Sequence, residues 1–462
     1  MQNHYDLFAE KMCKAQLPAA VIAAFKYYYL QLLQGHTGYI RENEIGSLAE
    51  NSLPKSETLS EFGAFGRELL PQVIHIVLNG GLGTGMGLMG PKSLLRVKNG
   101  MSFLEIATCR AEQQGINMAF MNSFNTEKQT INALSKLNLN IRPFHFMQNR
   151  FPKVNQDDLK PVRYHKNPAL EWNPPGHGDI YASLYASGIL DELLAHNIKY
   201  AFISNVDNLR AFVDPNILGY FAAQETPFMM EVAHKTASDV KGGHLARSVK
   251  NGGLVLRELA QCPSENHADF LDLQKYPFFN TNNIWLDLEF LYDYISRHDF
   301  IPLPMILNRK TVDYRDTASH QVYQIESAMG AAINIFEGAS AIHVPRSRLL
   351  AVKTCNDLLT VRSDCYKMTA NNEIYMVPKR LQNFNGRQPK VDLDQRYFGK
   401  IDEFEKRFAE MPSLLNCESL TVKGDFFFED KVYVEGDVTL INNSGKQVVL
   451  ESGRLLKGEK VF

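Results

Sequence analysis

Short apolar runs alternate with helical patterns through the middle of this 462-residue chain, and few architectures accept that rhythm. VIHIVL at 73–78, NMAFM at 117–121 and YAFIS at 200–204 have the length and character of buried strands, while TEKQTINALSKL and IYASLYASGIL carry apolar residues at helical spacing. The alternation predicts an α/β fold, a mainly parallel sheet with helices on both faces. Sheets of that kind take ligands at the carboxyl ends of their strands. The glycine-dense stretch LNGGLGTGMGLMGPKS (78–93) follows the first run and Asn205-Val206-Asp207 follows the third, so both stand where a ligand would.

Outside that unit the texture changes. Apolar and aromatic residues at roughly helical spacing, broken by Pro18 and Gly35, make 1–45 a helical segment. The α/β unit is expected over 46–350 and a mixed connector over 351–400. Over 401–462, Gly424 and Gly436 close short alternating segments about a dozen residues apart, the pattern of a small β-solenoid.

The formal net charge of −2, from Lys+Arg 49 against Asp+Glu 51, gives no global basic field to recruit a nucleic acid or an anionic membrane. No apolar run reaches the ~18 residues of a membrane span, and MQNHYDLFAEKMCK lacks the apolar stretch of a signal peptide. A cytoplasmic protein is expected. The cysteines at 13, 109, 262, 355, 365 and 417 form no CxxC or Cys/His cluster and read as reduced structural thiols.

Glycine tolerates positive φ and the close approach of a ligand, so the loop at 78–93 is built to touch something. Gly85-Met-Gly-Leu-Met-Gly90 matches G-x-G-x-x-G, but that fingerprint opens a helix, whereas Pro91 comes next and SLLRVKNGMSF reads as a strand and an Asn-Gly turn. Gly85 to Ser93 also approaches the P-loop, except that Pro91 removes one of the N–H donors such a loop needs. A third reading is a loop that wraps a nucleotide and then presents one lysine across its phosphates.

That stretch, continued by SLLRVKNGMSFLEI, resembles the nucleotide-binding loop of the eukaryotic-type UDP-glucose pyrophosphorylase family. FMNSFNTEKQT, FMQNRFPKV, WNPPGHGDIYASLYASG, FISNVDNL, DVKGGHLAR, FNTNNIW, QIESAMGAAI and VPRSRLLAVKTCNDLL keep that family's order between roughly residues 40 and 360. The resemblance implies a Rossmann-like, GT-A-like nucleotidyltransferase sheet with a β-helical tail. It also implies the reaction of UTP with glucose 1-phosphate to give UDP-glucose and diphosphate, with Mg2+ as cofactor. One departure lies in the loop: the family carries Cys-Lys before Gly-Pro-Lys, and this chain has Leu88-Met89, so any support from that first lysine is absent.

The implied chemistry needs little acid–base help, because the second pKa of a phosphate monoester is about 6 and the nucleophile is already mostly a dianion. Positioning and charge neutralisation carry it. The resemblance makes Lys92 the catalytic cation and Lys310 a second phosphate-binding lysine, although Asp313-Tyr314 replaces the family's Asp-Gly after it. Asp207 is implied as the magnesium ligand and a nucleotide contact; its position alone fits a turn-closing aspartate equally well. Leu78, Asn79, Gly80, Gly81 and Gln148 are implied to contact uracil, Gly176 and Asn205 the nucleotide, His177 the sugar phosphate, and Asn280, Thr281 and Asn282 the sugar hydroxyls. UTP and glucose 1-phosphate are then the expected partners, and the C-terminal strands a candidate surface for a homo-oligomer. A pyrophosphorylase for galactose or N-acetylglucosamine 1-phosphate, a glycosyltransferase and a non-catalytic nucleotide-sugar sensor remain as alternatives. The glycosyltransferase would normally show Asp-x-Asp, where this chain has Asp207-Asn208-Leu209.

Overall fold

The computed structural model describes residues 3–236, 239, 242–313 and 316–462. Val240 and Lys241 of the block DVKGGHLAR, and Tyr314 after Lys310, lie outside the described residues. A ten-stranded sheet runs through the centre. In chain order its strands are β1 (Ile45–Gly46), β2 (Val73–Asn79), β3 (Asn117–Asn122), β4 (Phe144–Met147), β5 (Tyr200–Asn205), β6 (Phe228–His234), β7 (His244–Ser248), β8 (Leu254–Arg257), β9 (Phe278–Asp287) and β10 (Ser340–His343).

The half of the sheet ordered β5-β2-β3-β4 is parallel. Every residue of β2 is buried, because alternate side chains enter two different cores. Ile74, Ile76 and Leu78 pack with Ile180, Leu184 and Leu193, whereas Val73 and Val77 pack with Leu104, Leu134 and Phe221. Helices therefore cover both faces, Ile180–Ala186 and Ile189–Ala195 on one side, Phe103–Gln114, Glu127–Leu134 and Pro215–Ala223 on the other.

The other half corrects the expectation of a mainly parallel sheet. β9 runs antiparallel to β5 and β6, and β7 runs antiparallel to β1, β8 and β9, with only the β6–β10 pair parallel. The sheet is mixed. Its organiser, β9, reads FFNTNNIWLD, and the polar middle hides a strand of 10 residues from any period-2 pattern. The register against β6 shifts between Glu231 and Val232, which pair with Asn283 and Asn280, so Thr281 and Asn282 form a bulge.

Two further bodies lean on this sheet. Helices Tyr5–Lys14 and Ala19–Leu33 bury Phe8, Phe25, Tyr28 and Tyr29 against Phe151, Val154, Met305 and Ile325. At the C-terminus, Lys390–Leu393, Ser413–Lys423, Tyr433–Ile441 and Leu455–Val461 make a four-stranded parallel sheet, and Phe426–Phe428 pairs in parallel with Val448–Leu450. Their core is continuous with Met86, Leu95, Val97 and Phe103 beside the glycine loop. All six cysteines are free. No helix among the described residues is long and apolar enough to cross a membrane.

Candidate active site

β2 delivers Leu78 and Asn79 to the carboxyl edge of the sheet. The Asn79 side chain is buried and its Nδ2 donates to Asn122 Oδ1 and Thr130 Oγ1, both at 2.8 Å, so it fastens β2 to β3 and the following helix. Beyond it, Gly83 and Gly87 adopt φ of 61° and 74° around the turn Thr84–Met86, conformations that glycine takes without strain. The Lys92 N–H donates back to the Gly81 carbonyl at 3.0 Å and closes the loop. Met89, at its tip, is 93% exposed. From the loop's end Lys92 Nζ donates to Asp207 Oδ2 at 2.6 Å, across the ends of the adjacent strands β2 and β5. Asn205, half-buried at the end of β5, accepts the Asn208 N–H at 3.1 Å and shapes the turn that carries Asp207.

On the other side of the loop, Gln148 Nε2 donates to the Gly176 carbonyl at 2.7 Å. A carbonyl only accepts, so this bond sets the amide, and Oε1 faces Gly80, 3.1 Å from where a Cβ there would stand. Gly176 has φ of 80°, and a Cβ on it would lie 2.3 Å from the Ser327 carbonyl oxygen. His177 Nδ1 accepts the Met329 N–H at 3.0 Å, and burial pushes the imidazole down to about 4. At neutral pH the ring is uncharged with its proton on Nε2. Gly330, next to Met329, has Asn280 Nδ2 3.2 Å from its Cβ position. Asn280 and Asn282 bond each other twice at 2.9 Å, while the Thr281 hydroxyl turns into the sheet and donates to the Glu231 carbonyl at 2.7 Å.

Two residues that the sequence analysis passed over complete the surround. Burial pushes the Glu258 carboxyl up to about 7, against hydrogen bonds from the Asn280 side chain and the Gly243 backbone and the field of Lys353. Lys353 follows Val352, whose N–H donates to the Asp207 carbonyl at 3.1 Å. Lys353 lies inside the block VPRSRLLAVKTCNDLL, whose match to the family was the available signal; Glu258, in LVLRELAQ, has no local signal. These residues surround the loop in a ring: Lys92 bonds Asp207, Lys353 follows the Val352 that bonds Asp207 and acts on Glu258 through its field, Asn280 bonds Glu258 and stands by Gly330 next to the Met329 that bonds His177, and Gly176 bonds Gln148, whose Oε1 faces Gly80. Lys310 stands outside this ring, exposed on the strand Met305–Thr311, with its charge reaching Glu326 beside Gly176.

No group of three or more metal-ligating side chains occurs among the described residues. Asp207 is a single hard carboxylate at a strand end, with Oδ2 taken by Lys92 and a donor type that suits a magnesium ion.

The family model for UTP–glucose-1-phosphate uridylyltransferase matches residues 22–435. A probable UTP–glucose-1-phosphate uridylyltransferase of Schizosaccharomyces pombe is 36% identical over 436 residues, 91% of this chain and 84% of that protein. The enzyme of that name from Solanum tuberosum is 37% identical over 415 residues, 88% of this chain and 84% of that protein. Among solved structures, a variant of Leishmania major UDP-glucose pyrophosphorylase in complex with UDP-glucose is 38% identical with a TM-score of 0.90, covering 100% of this chain and 99% of that one. UDP-glucose phosphorylase of Trypanosoma brucei is 40% identical with a TM-score of 0.87, covering 99% of each chain. With matches that span both the loop and the C-terminal strands, the chain belongs to the UTP–glucose-1-phosphate uridylyltransferase family.

Proposed function

We propose that the chain is a nucleotidyltransferase in which a phosphate oxygen of glucose 1-phosphate attacks the α-phosphorus of UTP. The new P–O bond gives UDP-glucose, and the bond from the α-phosphorus to the bridging oxygen breaks to release diphosphate. The observation that carries this reading is the Lys92–Asp207 pair at 2.6 Å, at the mouth of adjacent parallel strands and inside the ring of residues described above. A cation and a carboxylate set side by side suit a triphosphate with its metal.

Within that reading Gln148 Oε1, fixed as an acceptor, takes the uracil N3–H, and backbone groups of Leu78 to Gly81 read the rest of the base edge. His177 Nε2–H donates to the sugar phosphate. Asn280, Asn282 and Glu258 take glucose hydroxyls, while Thr281 holds the bulge that presents the asparagines. Asp207 would hold Mg2+, which supplies charge neutralisation on the phosphates. Lys92 stabilises the charge that develops on the transferring phosphoryl group, with Lys353 or Lys310 as the second cation. The C-terminal parallel sheets are read as a short β-solenoid whose core supports the glycine loop. Phosphorus NMR of the protein with UTP, glucose 1-phosphate and magnesium tests the proposal: the resonances of UDP-glucose and diphosphate should grow together and stop on addition of EDTA. Orthophosphate as the product, or undiminished turnover in EDTA, would overturn it.

A further inference from the structure

Asp179 is a buried carboxylate, 6% exposed, that neither the phosphate chemistry nor the sugar contacts use. Its partners are neutral donors. The Asn149 N–H and the Ser183 hydroxyl donate to Oδ2, each at 2.6 Å, and Asn149 Nδ2 donates to Oδ1 at 3.1 Å. Asn149 follows Gln148, and the Gly176 carbonyl that sets the Gln148 amide also accepts the Asp179 N–H at 3.3 Å. The carboxylate thus clamps together the two segments that frame the base, the end of β4 with Gln148 and the loop with Gly176.

A buried charge without a cation is costly to keep. What it supplies here is acceptor capacity alone, used by three donors at once; a protonated carboxyl would turn an O–H toward one of those donors and lose a bond. We propose that Asp179 is a positioning residue for the uracil site, its ionised carboxylate holding Asn149, and through it Gln148, in register with Gly176. The proposal rests on the uridylyltransferase reading.

The groups that face it are Asn149 from the β4 end, Ser183 from the helix Ile180–Ala186, Tyr28 from the helix Ala19–Leu33 and, lining the same small cavity, Tyr181 and Tyr185 of the helix Ile180–Ala186, Asp299 and Ser327. Burial pushes Asp179 up to about 6. It raises the Tyr28 hydroxyl further and leaves His177 neutral, so neither changes charge near pH 6. Glu258, at about 7, is the other site group that titrates nearby. Since the ionised form is the one that binds, affinity should fall as pH drops through about 6, by up to tenfold per unit.

Calorimetric titration with UDP-glucose tests this, because the ligand itself carries no group that titrates between about pH 5 and pH 8. The wild-type protein should lose affinity below about pH 6, and Glu258→Gln should keep that step. Asp179→Asn should bind roughly tenfold more weakly at about pH 7.5 and lack the step. Ser183→Ala, which removes a bond that favours the carboxylate, should move the midpoint upward and needs no folded Asp179 variant. Unchanged affinity of folded Asp179→Asn at about pH 7.5, or a step at about pH 6 that persists in Asp179→Asn combined with Glu258→Gln, would overturn the proposal alone. Failure of the wild-type protein to bind UDP-glucose at about pH 7.5 would overturn the uridylyltransferase reading and this proposal with it.

Discussion

Lys92 and Asp207 meet at 2.6 Å with 12% and 16% of their side chains exposed, so this pair of charges is already placed and partly shielded from water. Lys92→Ala should leave the circular dichroism spectrum unchanged and lower kcat roughly 10²-fold, the scale of losing one preorganised charge stabiliser. Near-normal turnover in the folded variant would remove Lys92 from the chemistry. The second cation separates two candidates. Both are exposed, but Lys353 stands one residue beyond the Val352 N–H bonded to Asp207, whereas Lys310 lies on the strand Met305–Thr311 with its charge reaching Glu326. Lys353→Ala should therefore cost more of kcat than Lys310→Ala, and steady-state kinetics on the pair decide the order; the reverse order would return the role to the lysine that the family resemblance picked.

At the scale of elements, the Gly176 loop and the end of β4 form one unit, because the Gly176 carbonyl fixes the Gln148 amide. Gln148→Glu would set a carboxylate oxygen against that carbonyl. The KM for UTP should rise by the equivalent of roughly 1–3 kcal/mol, with a smaller change for glucose 1-phosphate. Unchanged UTP kinetics would place Gln148 outside the base pocket. The same elements show what a sequence can disclose. VIHIVL, NMAFM and YAFIS are legible as β2, β3 and β5 because each is a short, apolar run buried after its first residue or throughout, and the glycine loop is legible because Gly83 and Gly87 need positive φ. β9 is not, since its bulge places Asn280 to Asn283 in the middle of the strand. Glu258 is not either: its environment comes from Asn280, Gly243 and Lys353, partners brought to it only by the fold.

At the scale of the molecule, the strand-rich tail reads in sequence as a texture distinct from the α/β unit. Its buried residues argue against removal, because Leu420, Val438 and Leu450 share one core with Leu358, Phe398 and Phe404 and with Val97 and Phe103 near the glycine loop. Exposing a buried Leu or Phe costs about 1.5–3 kcal/mol, so a few of them exceed the usual stability margin of about 5–15 kcal/mol. A chain ending at residue 411 should be aggregated or unfolded by size-exclusion chromatography and thermal denaturation; a soluble, active truncation would show that the two bodies are energetically independent. The central claim, that the glycine loop, Asp207 and the Gly176–His177 loop together form a uridylyltransferase site, is tested most directly by diphosphate release from UTP with magnesium and a panel of sugar 1-phosphates. The account predicts rapid release with glucose 1-phosphate, none without a sugar phosphate, and UDP-glucose in equal amount. Diphosphate release independent of any sugar phosphate, or faster release with galactose or N-acetylglucosamine 1-phosphate than with glucose 1-phosphate, would contradict it.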